Sequence, residues 1–293
     1  MADLKYSYTP YINHVVFDEL LHTAQGASFN KAGGNSKCAI INNYAVLKTG
    51  NIPGHDDSFP RIIEALQDLK ENDINVVPIL GYGIAHYGET YSDGSRYDKG
   101  YIVQPKAPGQ ELLYPGALRG KTDEEKHDII LAYLNMLHNI PQEHYNKWVA
   151  DYKAITDAKV MVDPSKASNF FYDQNQGFSF IDLNFFAREP LFDRVDHHGN
   201  QHHAEFILYS LTPFKGFLSE NSYFHPYLTS PEEIAFAEQV AVESFEKNFN
   251  ALQQLGVTQE DMDYTLETFS IALPKALQKN EEPVSLNIDP TQN

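Results

Sequence analysis

A change of hydrophobic period near residue 107 divides this sequence into two kinds of chain. Before it, Cys38-Ala-Ile-Ile, Tyr44-Ala-Val-Leu-Lys48, Val76-Val-Pro-Ile-Leu80 and Tyr101-Ile-Val103 are short apolar runs bounded by Gly, Asn or Asp, the pattern of strands. One stretch among them departs from that pattern. Phe59, Ile62, Ile63, Leu66 and Leu69 recur at helical spacing, with Ser58 placed to cap the helix and Pro60 in its first turn. After the change, Thr122-Asp-Glu-Glu125 is a capping box that opens a helix through Leu137, and residues 142–156 continue in helical style. Ser230-Pro-Glu-Glu233 is a second capping box, with Pro at the first helical position and a helix running to about Leu255. A last helix is expected over roughly 258–278, and the polar residues after about 280 are expected to fray. The first hundred residues therefore read as strands around one helix, followed by an α-rich half. The fold class is α+β.

Bulk properties narrow the partners. A chain of 293 residues can bury a sizeable core in one large domain or two lobes. Its net charge of −18 argues against nucleic acid, because neutralising phosphates needs a basic face. A few local cations with a divalent metal can still hold a nucleotide, and the acidity itself reads first as solubility. Cys38 is the single cysteine, so neither an internal disulfide nor a thiolate metal cluster is expected. No apolar window approaches membrane-spanning length and Met1-Ala-Asp-Leu-Lys5 carries no hydrophobic signal, so a cytoplasmic setting without membrane contact is the expectation. Export as an effector by a specialised signal would leave no such trace.

The residues that carry chemistry lie between 162 and 183. In Val162-Asp-Pro-Ser-Lys-Ala-Ser-Asn169-Phe-Phe-Tyr-Asp and Gly177-Phe-Ser-Phe-Ile-Asp182-Leu, two carboxylates and an amide sit at the ends of short apolar strands. Lys159-Val-Met-Val162 and Phe178-Ser-Phe-Ile181 read as a strand pair around Asn169-Phe-Phe-Tyr172, with a tight turn over Asp173 to Gly177. Burying such strands would fix Asp163, Asn169 and Asp182 on one rim. Phosphoryl transfer needs that arrangement, with oxygen ligands holding Mg²⁺ and a separate carboxylate orienting the attacking hydroxyl. Taken one at a time, Asp163 and Asp182 would read as strand-end caps.

These motifs, in this order, resemble the protein-kinase superfamily, including its aminoglycoside-phosphotransferase branch and small bacterial kinases. The resemblance implies a two-lobed fold: a β-rich N-lobe over 1–103, a hinge at 104–110, a helical C-lobe over 111–280 containing the catalytic loop, and a flexible tail at 281–293. It implies Asp163 and Lys166 as catalytic-loop residues and Asn169 and Asp182 as metal ligands, with ATP and Mg²⁺ as cofactors. Lys48, ending Ala-Val-Leu-Lys, is similar to the strand lysine that grips the α/β-phosphates, and Glu64 on the helix is its expected partner on the core side. Gly33 and Gly34 in Asn30-Lys-Ala-Gly-Gly-Asn-Ser36 would let backbone amides approach phosphate. Tyr101-Ile-Val-Gln-Pro-Lys-Ala-Pro-Gly-Gln-Glu-Leu112 resembles the family's hinge, placing Gln104 and Lys106 beside adenine, although an ordinary inter-lobe linker would look the same.

The sequence also departs from the family. Met161-Val162 stand where His-Arg precedes the aspartate, Asp163 and Asn169 lie one residue further apart than usual, Leu183-Asn184 replace Phe-Gly, and no Ala-Pro-Glu follows. A protein Ser/Thr acceptor is favoured by Lys166, which keeps its place relative to Asn169. A small-molecule acceptor of aminoglycoside or choline type, or a nucleotide-binding pseudokinase, is the alternative. The histidines of Asp196-His-His-Gly-Asn-Gln-His-His203 read first as a polar loop, with a zinc site as the second reading.

Overall fold

The computed structural model describes residues 3–8, 12–26, 30–32, 36–51, 58–90, 92–158, 160, 169–181 and 224–268, with only the backbone described for some of them, Lys48 included. The N-terminal part is an antiparallel six-stranded sheet with two helices. Its elements are β1 (Asp3–Tyr8), α1 (His14–Gly26), β2 (Asn30–Ala32), β3 (Ser36–Ile41), β4 (Tyr44–Asn51), α2 (Ser58–Glu71), β5 (Gly81–Thr90) and β6 (Arg96–Pro105), and the strand order is β1-β5-β6-β4-β3-β2. A second, three-stranded sheet joins β7 (Gln110–Glu111), β8 (Phe170–Asp173) and β9 (Gly177–Phe180). Around it stand α3 (Asp123–His138), α4 (Gln142–Asp157), α5 (Pro231–Gln254) and α6 (Gln259–Thr268).

Strand alternation sorts the larger sheet between two cores. Val46, Tyr101 and Val103 pack with Phe17, Leu20, Leu21 and Ala24 of α1. Their neighbours Leu47 and Ile102 point the other way, toward Leu66 and Leu69 of α2 and the helical half. That second core is continuous into α3, α4 and α5. At its centre Trp148 is buried, stacked on Phe180 at 4.5 Å and 3° and meeting Phe170 edge-on at 4.7 Å. Each such aromatic pair adds about 0.5–1.5 kcal/mol beyond area burial.

Both capping boxes form as read. Thr122 Oγ1 accepts from the Glu125 N–H at 3.2 Å and Glu125 returns the bond to the Thr122 N–H at 2.7 Å. Ser230 and Glu233 do the same at 3.1 and 3.2 Å. Two readings need correction. Among the described residues the first hundred hold a second helix beside the expected one, since α1 carries Phe17, Leu20, Leu21 and Ala24 on one buried face. Residues 77–80 are not a strand; the strand is the following segment, Gly81–Thr90. Of the expected pair around Asn169, the 178–181 half pairs with residues 170–173, while most of 159–162 lies outside the described residues.

Candidate functional site

The hairpin of β8 and β9 positions the best-defined site residue. Its register pairs Phe170 with Phe180 and Asp173 with Gly177, and the Asp173 carboxylate accepts the Asn175 and Gln176 amides to close the turn. At the open end the Ile181 N–H donates to the Asn169 carbonyl at 2.8 Å. Asn169 is 3% exposed, a buried amide at the mouth of an aromatic hairpin. The chain carries Asp182 directly after Ile181, yet Asp182, Asp163 and Lys166 lie outside the described residues, as do Gly33, Gly34 and the 196–203 histidines.

The hairpin is tied to the large sheet through residues 75–80. The Phe180 N–H donates to the Asn75 carbonyl and the Val77 N–H to the Phe180 carbonyl, each at 3.0 Å, forming a parallel bridge. On the other side Gln104 Nε2 donates to the Val77 carbonyl at 3.3 Å, and the Leu80 N–H donates to the Val103 carbonyl at 2.8 Å. Gln104 and Phe180 are thereby both bonded to the 75–80 segment, and Asn169 lies one residue beyond Phe180's partner in the hairpin. Gln104 is a buried residue of β6 rather than part of a free linker, because β6 runs to Pro105. Lys106 is exposed, and its backbone N–H is engaged by the Asn43 carbonyl at 2.7 Å.

Lys48 sits in β4 between Lys37 of β3 and Tyr101 of β6, and the β4–β6 register shifts just after it. Glu64 is exposed on α2, not on the core side, where Leu66 and Leu69 are buried. An exposed carboxylate pays no burial penalty, so burial supplies no pressure toward the expected Lys48 partner, whose side chain lies outside the described residues. Glu111 on β7 has its carboxyl pushed up by burial, and Tyr114 is raised by its own burial and by the nearby Glu111 charge.

One buried charge was missed by sequence reasoning. Asp151 in α4 is 2% exposed; its Oδ2 accepts the Asn75 N–H at 3.1 Å and its Oδ1 lies 3.2 Å from Lys147 Nζ. Burial raises its carboxyl, against the opposing pull of those two donors. A signal was present, for Trp148, Asp151, Tyr152 and Ile155 occupy one helical stripe, and the other three are core residues. Among the described residues no cluster of three or more His, Cys, Asp or Glu is placed to hold a metal, and no helix is long and apolar enough to cross a membrane.

No family model matches this sequence, and no curated protein does. Among solved structures, the choline kinase LicA from Streptococcus pneumoniae aligns over 88% of this chain and 99% of its own, at 12% identity and a TM-score of 0.28. A likeness that slight carries neither fold nor function to this chain.

Proposed function

We propose that this chain is an ATP- and Mg²⁺-dependent phosphotransferase acting on a hydroxyl group, within a two-lobed kinase-like fold. The observation that supports this reading is the hairpin register. Asn169, a buried amide, faces Ile181 across the open end, and the sequence supplies a carboxylate at the next position, Asp182. An amide and a carboxylate oxygen suit Mg²⁺, a hard cation that prefers oxygen ligands. Bound there, the metal would neutralise phosphate charge during transfer. In this reading Asn169 and Asp182 hold it and Lys48 takes the phosphates from β4. Asp163 orients the acceptor hydroxyl and accepts its proton, with Lys166 beside the transferring group.

The acceptor we favour is a small hydroxylated molecule. A protein Ser/Thr draws support only from the spacing of Lys166 and Asn169. Against it stand Met161-Val162 before Asp163, Leu183-Asn184 after Asp182 and the missing Ala-Pro-Glu, which leave a protein-docking platform without its usual sequence.

The test has two arms. Calorimetry with Mg-ATP on the wild type and on Asp182→Ala should show metal-dependent binding weakened by more than about ten-fold in the variant. Equal affinities would remove the metal assignment. Labelled ATP offered with choline, aminoglycosides or a generic protein substrate should label a small acceptor. Transfer to protein alone would restore the Ser/Thr reading, and tight binding with no transfer to anything would mark a pseudoenzyme.

A further inference from the structure

Asp151 is an expensive residue for a helix whose other buried side chains include Tyr145, Trp148, Val149, Tyr152 and Ile155. An apolar side chain would serve packing alone at least as well, because buried ion pairs seldom out-stabilise the hydrophobic groups that could replace them. What the charge does instead is local. Its two oxygens are divided between the Asn75 N–H at 3.1 Å and Lys147 Nζ at 3.2 Å, and Lys147 reaches on to the Asp73 carbonyl at 2.6 Å. Asp73 has φ of 63°, a left-handed turn that ends α2 and needs such an anchor. Asn75 in turn accepts the Phe180 N–H through its carbonyl, and its side-chain amide donates to the Gln176 carbonyl at 2.7 Å. Helix α4, the turn after α2 and both ends of β9 thus share one chain of hydrogen bonds. Phe180 is also pressed on Trp148, one helical turn before Tyr152, so α4 grips β9 by its backbone partner and by its ring.

We propose that Asp151, with Lys147, is a positioning pair that fixes the 73–77 segment against β9 and so sets the open end of the hairpin where Asn169 and Ile181 meet. Its consequence for catalysis rests on the phosphotransferase reading above; its consequence for local structure does not. Substituting Asp151→Ala leaves the Asn75 amide and the Lys147 ammonium without their shared acceptor, while Asp151→Asn keeps one acceptor and the shape. Lys153→Ala serves as control, since Lys153 sits on the exposed side of the same helix in an i,i+4 pair with Asp157.

The experiment is amide hydrogen exchange under native conditions, paired with steady-state kinetics below the melting point of every variant. Asp151→Ala should speed exchange at Val77, Phe180 and Ile181 by about ten-fold or more while the amides of α3 and α5 keep their protection. It should lower kcat more than it raises KM for ATP, with Asp151→Asn recovering much of both effects and Lys153→Ala changing neither. Uniform loss of protection across the molecule, or unchanged exchange at Phe180, would overturn the positioning role. Should Asp151→Ala prove too unstable to purify, Lys147→Met makes the same exchange prediction at Val77 and Phe180. An inactive wild type would instead sink the phosphotransferase reading and leave the exchange result to decide the lock by itself.

Discussion

Gly109 lies in the segment between β6 and β7 with φ of +80°, and a Cβ there would run into the Tyr172 carbonyl and come within 2.7 Å of the Asp173 amide. Gly120, before α3, has nearly the same φ of +79° with nothing within 4 Å. The two glycines separate backbone strain from close approach. Gly120→Ala pays only for the left-handed conformation, about 1 kcal/mol, whereas Gly109→Ala must also push β8 away from the segment and should cost about 2–4 kcal/mol. Urea unfolding of both variants would check this, and equal losses would mean that the Tyr172 backbone yields. The residues that sequence reasoning found and missed divide along the same line. The place of Asn169 at the end of a hairpin was legible because the aromatic runs on either side of the Asp173–Gly177 turn have to pair; its role as a metal ligand is a proposal. Gly109 reads from sequence only as part of a linker, since nothing in Pro-Gly-Gln reveals which backbone passes above it. Asp151 was passed over although it shares a stripe with Trp148 and Tyr152; a helical pattern shows which face is inward but not which polar group has partners waiting there.

At the scale of elements, α3 and α5 are held together by paired side chains over several turns. His127 Nε2 lies 2.9 Å from Glu233 Oε1 and His138 Nδ1 lies 2.8 Å from Glu243 Oε2. The Glu233 carboxyl is held down at about 2, first by the Thr229 amide and then by His127, while His127 is raised chiefly by its bond to Glu233. Burial pulls Glu243 up, but its bonds from Gln239 and His138 prevail and leave it lowered. A raised histidine contributes stability below its ordinary value of 6.5, and that contribution fades as pH climbs through the higher folded value. A depressed carboxylate contributes above its ordinary 4.5 and fades as pH falls toward 2. The His127–Glu233 contact is therefore strongest between those two ordinary values. Thermal melts of wild type and His127→Gln should differ most at about pH 5–6 and converge as pH rises above the raised folded value of His127. A gap that is constant or widens with pH would show that the imidazolium is not what stabilises the contact. The helices themselves were easy to read, because a capping box is a local chemical device that needs no tertiary context. Helix α1 carried an equally plain stripe in Phe17, Leu20, Leu21 and Ala24, with Asn13 Oδ1 accepting the Val15 amide at its start, and was overlooked beside the louder strand runs. The misplaced strand has a different cause. Val76 to Leu80 is apolar because it is buried between β9 and β6, and burial alone does not say whether a segment joins a ladder. The true strand β5, Gly-Tyr-Gly-Ile-Ala-His-Tyr-Gly-Glu-Thr, is glycine-rich and is made by its neighbours β1 and β6 rather than by its own propensity.

For the whole molecule the question is whether the two halves separated by the change of period unfold together. The helical core does not stop at β9, since Leu66 and Leu69 of α2, Ile79 and Ile102 belong to the same buried cluster as Trp148, Leu134 and Val240. The α1 face of the large sheet forms its own smaller cluster around Phe17, Leu21 and Val103. The hydrogen bonds of Val77 to Phe180 and of Gln104 to Val77 run alongside the shared cluster and couple the sheets through backbone. Cooperativity of this kind is testable because Trp148 is the only tryptophan in the chain and reports on the helical core, while far-UV circular dichroism reports on every element. We expect coincident midpoints for the two signals in urea. Leu69→Ala, which opens a cavity where α2 meets that core, should then lower both midpoints together by the equivalent of about 2–4 kcal/mol. Circular dichroism that falls well before the Trp148 signal would instead mean that the six-stranded sheet and α1 unfold first, with the α1 cluster too small to bind the N-terminal half to the rest. In that case the segment from Asn75 to Leu80 would be a seam between independent units, and the nucleotide site proposed above, if it spans that seam, would depend on ligand to close it, so that Mg-ATP should merge the two transitions by stabilising only the joined state.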